Sequence, residues 1–501
     1  MPGGSLPTRL AAVARRWPER TALVDGDRRA SYAELWSLAN GFARELRRRG
    51  LAAGDRVALV LPNRIEAAAA CYGAWLAGMV PVPLNVQARA RDLAPWIAHC
   101  GAALVVHEDG DEDVAGALAT MAAPPPALAL PPAHCPWPAA SAAPHGDEPS
   151  GDLPALILYT SGTTGAPKGV TLSHRNLAAN VGSIVAYLGL GPDDSVVSVL
   201  PFYYAYGASV LHTHLTTGGC VVLESNMLFP HMVAASIATH RATGFSGVPS
   251  TFSLLLDRAD LAAHDLSSLR YLTQAGGPMA PALAQRLREA LPGPRLFLMY
   301  GQTEATSRLT YLPPERLADK PGSVGVPIAG VTVRVVDEHG RDAAPGIEGE
   351  VLVQGPSIML GYWNAPAETA RAIRHGWLHT GDRGHLDDEG FLYLSGRRSD
   401  MIKTGAHRVF PADIEDAIQE IPGVSEVAVV GMDDPMLGQV VKACIVVSAP
   451  LERGADTVKA HCRQRLAPYK VPRHVEFVDA LPRTASGKVR RIALSQPWKT
   501  E

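Results

Sequence analysis

Between residues 31 and 85 the sequence alternates two helix patterns with two short apolar runs. The first pattern, 31-SYAELWSLANGFARELRRRG-50, predicts an amphipathic helix, because Ser31 and Glu34 form a capping box ahead of regularly spaced apolar residues. The next three segments are predicted as a strand, a helix and a strand: 55-DRVALVLP-62, 65-IEAAAACYGAWLAGM-79 and 80-VPVPLN-85. Such alternation is typical of α/β layers built on a mostly parallel sheet.

The chain has 501 residues, which exceeds what one ordinary hydrophobic core can hold. A charged, polar exit follows the strand pattern in 387-DDEGFLYLSGRRSD-400, and short helices and strands alternate after it. We therefore expect a large N-terminal domain of layered α/β subdomains over 1–396 and a small α+β domain over 397–501. The Pro- and Ala-rich stretch 123–150 is predicted as a loop or linker without regular structure.

Composition argues against several classes of protein. Hydrophobic residues make up 47% of the chain, charged residues 19%, and the net charge is −3, so we expect a soluble protein without a nucleic-acid surface. The six cysteines form no C-x-x-C pair, which disfavours zinc or disulfide frameworks and favours a reduced cytoplasm. The first residues lack a signal-peptide pattern. The uncharged run 195–223 contains proline, tyrosines, histidines and glycines, which favours buried core and site loops over a membrane span.

The stretch 159-YTSGTTGAPKGVTLSH-174 follows a predicted apolar strand and combines glycines with a row of hydroxyls and one lysine. Glycine lets backbone N–H groups approach a phosphate closely, hydroxyls add donors, and Lys168 supplies positive charge. The spacing is not that of a Walker P-loop, because Pro167 stands where the second glycine is required. The stretch predicts a polyphosphate cradle, and the alternative is a flexible surface loop.

Three further motifs have both a chemical and a structural interpretation. In 299-MYGQTEAT-306, Glu304 follows an apolar run, where a carboxylate can hold Mg²⁺ or merely cap a helix. Asp382, in the Thr-Gly-Asp turn predicted within 376-GWLHTGDRG-384, can accept hydrogen bonds from ribose or stabilise its own turn. Lys488 in 481-LPRTASGKVRR-491 is either a functional lysine or part of a solvated basic tail.

Together these motifs resemble those of the adenylate-forming superfamily, which includes acyl-CoA synthetases, adenylation enzymes and luciferases. The resemblance runs from about residue 7 to residue 491 and keeps the family's order: the glycine loop, YGQTE, EGEVLVQGPSIMLGYW, GWLHTGD, GRRSDMIK, LAPYKVP and a final GK. Several specific motifs in a fixed order are stronger evidence than any one of them. The resemblance implies a large ATP- and acyl-binding domain and a small mobile C-terminal domain that acts as a catalytic lid.

The family carries out two half-reactions: a carboxylate attacks the α-phosphate of ATP to give an acyl-adenylate and pyrophosphate, and a thiol then displaces AMP. The resemblance therefore implies an ATP- and Mg²⁺-dependent ligase for a small carboxylic acid, with CoA or the phosphopantetheine of a carrier protein as acceptor. Alternatives are transfer to an amine or, as in diazotisation, to nitrite, and a nucleotide-binding protein that has lost catalysis. Retention of Lys168, Glu304, Asp382 and Lys488 argues against the last alternative.

The resemblance also implies a role for each matched position. The β- and γ-phosphates would be held by Thr160, Ser161, Gly162, Thr163, Thr164, Gly165 and Lys168. The α-phosphate and Mg²⁺ would be served by Thr303 and Glu304, beside Gly301 and Gln302 of the same motif. The adenine slot would be lined by Gly276, Gly277, Met299 and Tyr300, and the ribose held by Asp382 and Arg397. Lys488 would bridge the carboxylate and the α-phosphate, Ser399 and Asp400 would form the hinge, and Lys403 and Ala406 would serve the second half-reaction.

Four positions depart from the family's pattern. Tyr204 stands where relatives usually carry histidine or another aromatic residue, and Ser399 replaces the usual hinge aspartate or lysine. Gly207 stands where domains specific for α-amino acids carry an aspartate, which disfavours an α-amino acid substrate. Ala406 replaces a glycine that lines the thiol tunnel, so its methyl group is expected to narrow that tunnel.

By position, the acyl pocket would be lined by Tyr204, Gly207, Ala208, Leu211, Ser246, Thr273, Ala275, Met299, Ser307 and Arg308. Small residues near the entrance favour an aromatic or medium-sized acyl group. A buried Arg308 needs an anionic or strongly polar partner, and we expect a protein carboxylate ahead of a second polar group on the substrate. The histidines 174, 212, 214 and 379 are expected to be ordinary packed or surface residues, because no metal-ligand spacing links them.

Overall fold

The structure is a computed structural model that describes residues 4–131, 137–138, 150–160, 168–224, 229–397, 400–404, 407–434, 437–448, 454–466, 468–483 and 488–495. Its α-helices are α1 (Leu6–Arg16), α2 (Tyr32–Arg48), α3 (Ile65–Leu76), α4 (Ala90–Cys100), α5 (Glu112–Thr120), α6 (His174–Leu188), α7 (Ala205–Leu215), α8 (Pro230–His240), α9 (Pro249–Arg258), α10 (Pro281–Ala290), α11 (Pro366–Ala372), α12 (Pro411–Gln419), α13 (Ala455–Arg465) and α14 (Arg491–Leu494).

The strands are β1 (Thr21–Asp25), β2 (Arg28–Ser31), β3 (Arg56–Val60), β4 (Val80–Pro83), β5 (Ala102–Glu108), β6 (Ala127–Leu130), β7 (Pro154–Thr160), β8 (Lys168–Ser173), β9 (Ser195–Ser198), β10 (Cys220–Leu223), β11 (Gly244–Gly247), β12 (Tyr271–Gln274), β13 (Arg295–Tyr300), β14 (Thr310–Leu312), β15 (Ser323–Pro327), β16 (Thr332–Val336), β17 (Gly349–Gln354), β18 (Gly361–Tyr362), β19 (Ile373–Arg374), β20 (Trp377–Leu386), β21 (Leu392–Arg397), β22 (Ile402–Thr404), β23 (His407–Val409), β24 (Val424–Asp434), β25 (Gly438–Val447) and β26 (His474–Phe477).

Four sheets organise these strands. The largest has the order β16-β17-β20-β21-β15-β14-β13-β12-β11-β9-β10-β1-β2, with β19 paired to β20. A four-stranded sheet, β4-β3-β5-β6, is parallel throughout, and β18-β8-β7 is antiparallel. The fourth sheet, β23-β22-β25-β24 with β26 on β25, belongs to the C-terminal part of the chain. The predicted fold class, layered α/β with a small α+β unit at the C-terminus, is confirmed.

The largest sheet is only half parallel. Strands β1, β10, β9, β11, β12 and β13 pair in parallel, as expected for strands joined through helices. From β14 onward the pairing is antiparallel, because short connections without an intervening helix join most of these strands. The mostly parallel sheet expected from residues 31–85 is the four-stranded sheet that contains β3 and β4, which is parallel throughout, so that expectation is confirmed. In the largest sheet, only the first half is parallel.

The capping box and the apolar spacing predicted from the sequence explain why helix α2 forms. Ser31 accepts a hydrogen bond from the backbone N–H of Glu34, and the Glu34 side chain bonds back to the N–H of Ser31 at 2.8 Å. One face of the helix buries Leu35, Phe42 and Leu46 in the main core. Helix α3 is nearly enclosed and packs against α2, which explains its alanine-rich sequence.

The stretch 123–150 contains one element that the sequence prediction missed. Residues Ala127–Leu130 form β6, which pairs in parallel with β5 from Val105↔Ala127 to Glu108↔Leu130. The outer edge of β5 offers unpaired backbone groups, and this short Ala/Leu run satisfies them despite its flanking prolines. Residues 132–136 and 139–149 lie outside the described part of the chain.

The change from one sheet to another occurs near residue 400. Strand β21, in the largest sheet, ends at Arg397, and β22, in the C-terminal sheet, begins at Ile402. Asp400 lies between them, with its carboxylate 3.7 Å from the Arg491 guanidinium of α14. The uncharged run 195–223 forms β9, α7 and β10 inside the protein. Across the described ranges, no helix has the length and apolar character needed to span a bilayer.

Candidate active site

The predicted phosphate loop connects two antiparallel strands. Thr160 at the end of β7 is the register partner of Lys168 at the start of β8. The loop residues between them, Ser161, Gly162, Thr163, Thr164 and Gly165 among them, lie outside the described residues. The Lys168 ammonium lies 5.7 Å from the ring centroid of Tyr362 in β18, so the lysine is oriented towards an aromatic face.

Glu304 lies on a short 3₁₀ turn, Thr303–Ala305, directly after β13. The chain turns back so sharply here that a Cβ on Gly301 would lie 1.8 Å from the carbonyl oxygen of Ser307. The Tyr362 hydroxyl donates to Glu304 Oε1 at 2.9 Å. Tyr362 therefore contacts both Lys168 and Glu304, two residues that the sequence prediction placed on the phosphates and on Mg²⁺.

The residues around Glu304 fit a nucleotide with its metal ion. In the described part of the chain, no lysine or arginine forms an ion pair with Glu304. Magnesium typically takes one or two protein carboxylates together with substrate phosphates, so a single unpaired glutamate beside Lys168 suits it. The neighbouring Gln302 has a buried Nε2 that finds no hydrogen-bond partner in the described structure, and it can donate to a bound ligand.

Asp382 lies in strand β20 rather than in the predicted isolated turn. Gly381 beside it has φ +75°, and the pairing with β21 shifts register between Arg383 and Gly384, which bends the strand locally. The Tyr300 hydroxyl donates to Asp382 Oδ2 at 2.6 Å, which joins the predicted adenine and ribose positions. Arg397 is the register partner of Asp382 on β21, and its side chain lies outside the described structure.

The other predicted adenine residues follow β12. Gly276 has φ +88°, a conformation that favours glycine, and the carbonyl of Gly277 accepts a hydrogen bond from Gln274 Nε2 at 2.8 Å. Strands β11, β12 and β13 are parallel, so Ser246, Gly276 and Tyr300 all come from one edge, the carboxyl edge of the sheet. Open α/β sheets bind their ligands at this edge.

A small cavity next to this edge contains Arg308. Four residues predicted for the acyl pocket line this cavity together: Ser246, Thr273, Met299 and Arg308. The hydroxyl of Ser307 accepts a hydrogen bond from the arginine at 2.8 Å. The cavity is also lined by side chains that the sequence prediction did not assign to the site: Tyr187, Ser209, Val210, Thr213, His214 and Tyr271. Tyr187 lies on α6, Tyr271 lies on β12, and the other four lie on α7. The helical spacing of those four is visible in the sequence, but which face of α7 meets the cavity is not.

Three predicted pocket residues lie elsewhere. Ala208 and Leu211 occupy the opposite face of α7 and line a separate apolar cavity with Leu59, Leu61 and Phe202. Gly207 lines neither cavity, because a Cβ there would lie 2.1 Å from the carbonyl oxygen of Pro201. Positions 208 and 211 face away from Arg308, whereas position 207 lies on the same face of α7 as Val210 and His214. The assignment of all three to the acyl pocket stays a prediction. Tyr204 is the N-cap residue of α7, and its ring packs at 4.7 Å against Tyr203. Ala275 is buried directly after β12.

The predicted second-half-reaction and hinge residues are only partly described. Lys403 belongs to β22 and is the register partner of Arg408, and the Lys403 side chain is not among the described atoms. Ser399 and Ala406 lie outside the described residues. Lys488 is exposed, directly before the bridge between Arg483 and Val489.

The predicted histidines are packed side chains. Burial lowers the pKa of His212 to about 3 and that of His214 to about 4, so both are neutral at pH 7. His174 is buried, and His379 lies 3.0 Å from the Glu350 carboxylate. No cluster of three or more metal-ligating side chains occurs in the described part of the chain.

Comparisons with known proteins agree on one family. Residues 10–363 match the model of the AMP-binding enzyme family, and residues 413–488 match the AMP-binding enzyme C-terminal domain. The chain is 35% identical over 494 residues to the feruloyl-CoA synthase of an Amycolatopsis species, covering 97% of each chain.

Two solved structures are similar over nearly the whole chain. The o-succinylbenzoate coenzyme A synthetase of Bacillus subtilis, in complex with ATP and magnesium ion, has a TM-score of 0.85 at 31% identity over 97% of this chain and 99% of that one. The amide bond synthetase of Marinactinospora thermotolerans has a TM-score of 0.89 at 30% identity over 98% and 99%. The chain therefore belongs to the AMP-binding enzyme family, whose adenylate-forming fold it adopts.

Proposed function

We propose that this chain is an AMP-forming acid–thiol ligase that converts a small carboxylic acid first to its acyl-adenylate and then to its CoA thioester. The observation that carries the proposal is the contact of Tyr362 with both Lys168 and Glu304, and the hydrogen bond from Tyr300 to Asp382 supports it. Family membership and the CoA synthase among the relatives support the same activity. The carrier-protein acceptor has no comparable support.

In the first half-reaction an oxygen of the acid bonds to the α-phosphorus of ATP, and the bond from that phosphorus to pyrophosphate breaks. Two anions must meet, so positioned positive charge and exclusion of water are the main catalytic requirements. Lys168 would hold the outer phosphates, and Glu304, oriented by Tyr362, would hold Mg²⁺. The metal ion, when bound, supplies charge neutralisation on the phosphates. Asp382, oriented by Tyr300, would accept hydrogen bonds from the ribose hydroxyls.

In the second half-reaction the CoA sulfur bonds to the acyl carbon, and the bond from that carbon to the phosphate oxygen of AMP breaks. Lys488 would act only in the first half-reaction, because its role is to bridge the carboxylate and the α-phosphate. We propose that the C-terminal unit that begins near residue 397 brings Lys488 to the site and then withdraws it. Asp400, which pairs with Arg491, lies at the start of that unit.

A second candidate keeps the adenylation but transfers the acyl group to an amine. The similarity to an amide bond synthetase over 98% of the chain supports this candidate. The two candidates share the first half-reaction and differ only in the nucleophile that displaces AMP.

The first half-reaction is tested by the Lys488→Ala variant. We expect acid-dependent pyrophosphate release to slow by roughly 100-fold, since removal of one preorganised donor to a developing charge costs about that much. Lys459→Ala on α13 is the matched control and should keep the wild-type rate. A Lys488→Ala variant as active as the control would refute the assignment of Lys488. Wild-type protein that releases no pyrophosphate with any acid would refute the proposed function.

A further inference from the structure

Arg308 is a buried cation without a counter-anion. The residue is 3% exposed, and an arginine remains charged throughout the physiological pH range. Within the described structure no aspartate or glutamate forms an ion pair with it, which contradicts the expectation of a protein carboxylate. Burial of an unpaired charge is costly, so such a group indicates a ligand of opposite sign.

Neutral groups fix the guanidinium in place. Its carbon atom lies 4.1 Å from the ring centroid of Tyr206, Nη1 donates to the Ser307 hydroxyl at 2.8 Å, and Nε points to the Met299 sulfur at 3.3 Å. The Met299 sulfur also accepts a hydrogen bond from the Tyr187 hydroxyl at 2.9 Å. These contacts orient the arginine without neutralising it, and Nη2 donates to no group in the described structure.

The remaining titratable groups of the cavity do not supply a negative charge. Burial raises the pKa of the Tyr187, Tyr206 and Tyr271 hydroxyls, so all three stay neutral phenols. His214 is neutral and already bonded, through Nδ1 to the carbonyl of Val210 and through Nε2 to Tyr271. The other polar groups are hydroxyls, including those of Ser209, Ser246 and Thr273, which can each accept or donate.

The cavity adjoins the proposed adenylation site. Arg308 follows Glu304 closely in sequence, and Ser246 and Thr273 come from the carboxyl ends of β11 and β12, the same edge that carries Tyr300. An acid whose reacting carboxylate lies at the nucleotide would therefore extend its acyl chain towards Arg308.

We propose that the substrate carries a second oxyanion, held by the Arg308 guanidinium at the end of the acyl group opposite to the reacting carboxylate. This inference rests on the proposed function and names its substrate class: an acid with a remote carboxylate or sulfonate. The fork of guanidinium donors suits such planar or trigonal oxyanions, and the neighbouring hydroxyls complete their hydrogen bonding. Arg308 is thus a specificity-determining residue.

The test compares matched acids in acid-dependent pyrophosphate release. Each set shares one aliphatic or benzoate spacer and differs at the remote position, which is a carboxylate, a sulfonate, a carboxamide or a methyl group. For the wild type we expect at least one oxyanion to exceed its methyl and carboxamide partners by about 100-fold in kcat/KM, as loss of a buried charged contact requires. The carboxylate and sulfonate arms identify which oxyanion is bound.

Arg308→Met should remove that preference, with kcat/KM for the oxyanion falling by about 100-fold while the methyl partner is used as well as before or better. Arg341→Met, in an exposed ion pair with Asp337, is the matched control and should keep the wild-type preference. Circular dichroism and the thermal unfolding midpoint check that Arg308→Met is folded. The wild-type comparison alone tests the inference if that variant does not fold.

Two results overturn the inference and differ from failure of the proposed function. Wild-type protein that prefers the methyl partner in every set would show that Arg308 binds no substrate anion. Equal use of carboxamide and carboxylate would show a neutral polar subsite. If no acid of any kind stimulates pyrophosphate release by the wild-type protein, the proposed function is overturned, and the inference is overturned with it.

Discussion

At the scale of single residues, Tyr362 connects two parts of the proposed site. Its hydroxyl fixes Glu304, and its ring lies against the Lys168 ammonium. The resemblance to known enzymes drew attention to the segment that contains Tyr362, but only the structure shows this contact. Groups that orient a metal ligand typically change metal affinity or activity when they are removed.

Tyr362→Phe should raise the Mg²⁺ concentration needed for half-maximal pyrophosphate release by about 10-fold, because Glu304 loses its orienting hydrogen bond. Tyr393→Phe, which removes a hydroxyl on β21 away from Glu304, is the control and should leave the Mg²⁺ dependence unchanged. The measurement is a Mg²⁺ titration at saturating ATP and acid. Identical Mg²⁺ curves for the two variants would show that Tyr362 does not position Glu304.

Residue identity and the family resemblance together predict some of the site. Arg308 is the odd member of the acyl pocket that the resemblance implies, because small residues dominate near the entrance. Its lack of a protein counter-anion in the described structure depends on tertiary contacts. Gly207 was interpreted by analogy as a pocket residue. The structure adds a packing constraint at this position, because the Pro201 carbonyl leaves no room for a Cβ there. Sequence reasoning can therefore propose which residues belong to the site, but it does not show which way a residue on a helix faces.

At the scale of elements, α2 and α3 cross closely because Gly73 lies at their contact. A Cβ on Gly73 would lie 2.6 Å from the Ala39 carbonyl and 2.9 Å from Phe42 Cβ. Gly73→Ala should therefore lower the free energy of unfolding by about 1–3 kcal/mol through overpacking. In Gly182→Ala on α6, the new methyl group meets only the end of Arg9 at 3.9 Å, so stability should be unchanged or slightly raised. Urea unfolding measures the free energy of unfolding of both variants. Equal values for the two variants would show that Gly73 does not limit how closely α2 and α3 pack.

Helix α7 carries the pH dependence that the structure predicts. His212 and His214 have folded-state pKa values of about 3 and about 4, whereas an unfolded histidine titrates near pH 6.5. Below about pH 6.5 the unfolded chain binds protons that the folded chain excludes. The contribution of each histidine is therefore fully present above that pH and is lost as the pH falls towards the folded value.

When the pH falls from 7 to 5.5, protonation of each of these histidines in the unfolded chain should lower the free energy of unfolding by about 1 kcal/mol. Replacement of His214→Gln should remove one such contribution, so its stability should fall less steeply with pH than that of the wild type. His339→Asn, on an exposed turn, is the control and should follow the wild type. Denaturant unfolding of the wild type and both variants at pH 7 and pH 5.5 measures the change in the free energy of unfolding. An equal change in all three proteins would contradict the explanation based on buried histidines.

Elements were predicted best where local signals were complete. Capping and periodicity located α2, and apolar runs located β3, β4 and β7. Strand β6 was missed because four alternating alanines and leucines among prolines carry little local signal, and only the open edge of β5 makes them a strand. Short connections produce the antiparallel half of the largest sheet. The sequence shows how long these connections are, but it does not show which strands pair.

At the scale of the whole molecule, the motifs that are scattered along the sequence come from both halves of the largest sheet. Strand β13 delivers Tyr300 and Glu304, and β20 delivers Asp382 from the antiparallel half. The C-terminal part contacts the large part through a hydrogen bond from the Ser253 hydroxyl to the carbonyl of Ser425 at 3.4 Å, and α12 and β24 also pack against α9, α10 and β21. The order of strands, and with it this convergence, could not be read from one sequence.

We propose that this one chain both adenylates a carboxylic acid and passes the acyl group to CoA. The most direct measurement follows AMP formation by purified protein with ATP, Mg²⁺ and an acid that triggers pyrophosphate release, with CoA present or omitted. We predict sustained AMP formation only when both acid and CoA are present, with one CoA thioester formed per AMP. Turnover that requires an amine instead of CoA, or that proceeds without any acid, would contradict the claim.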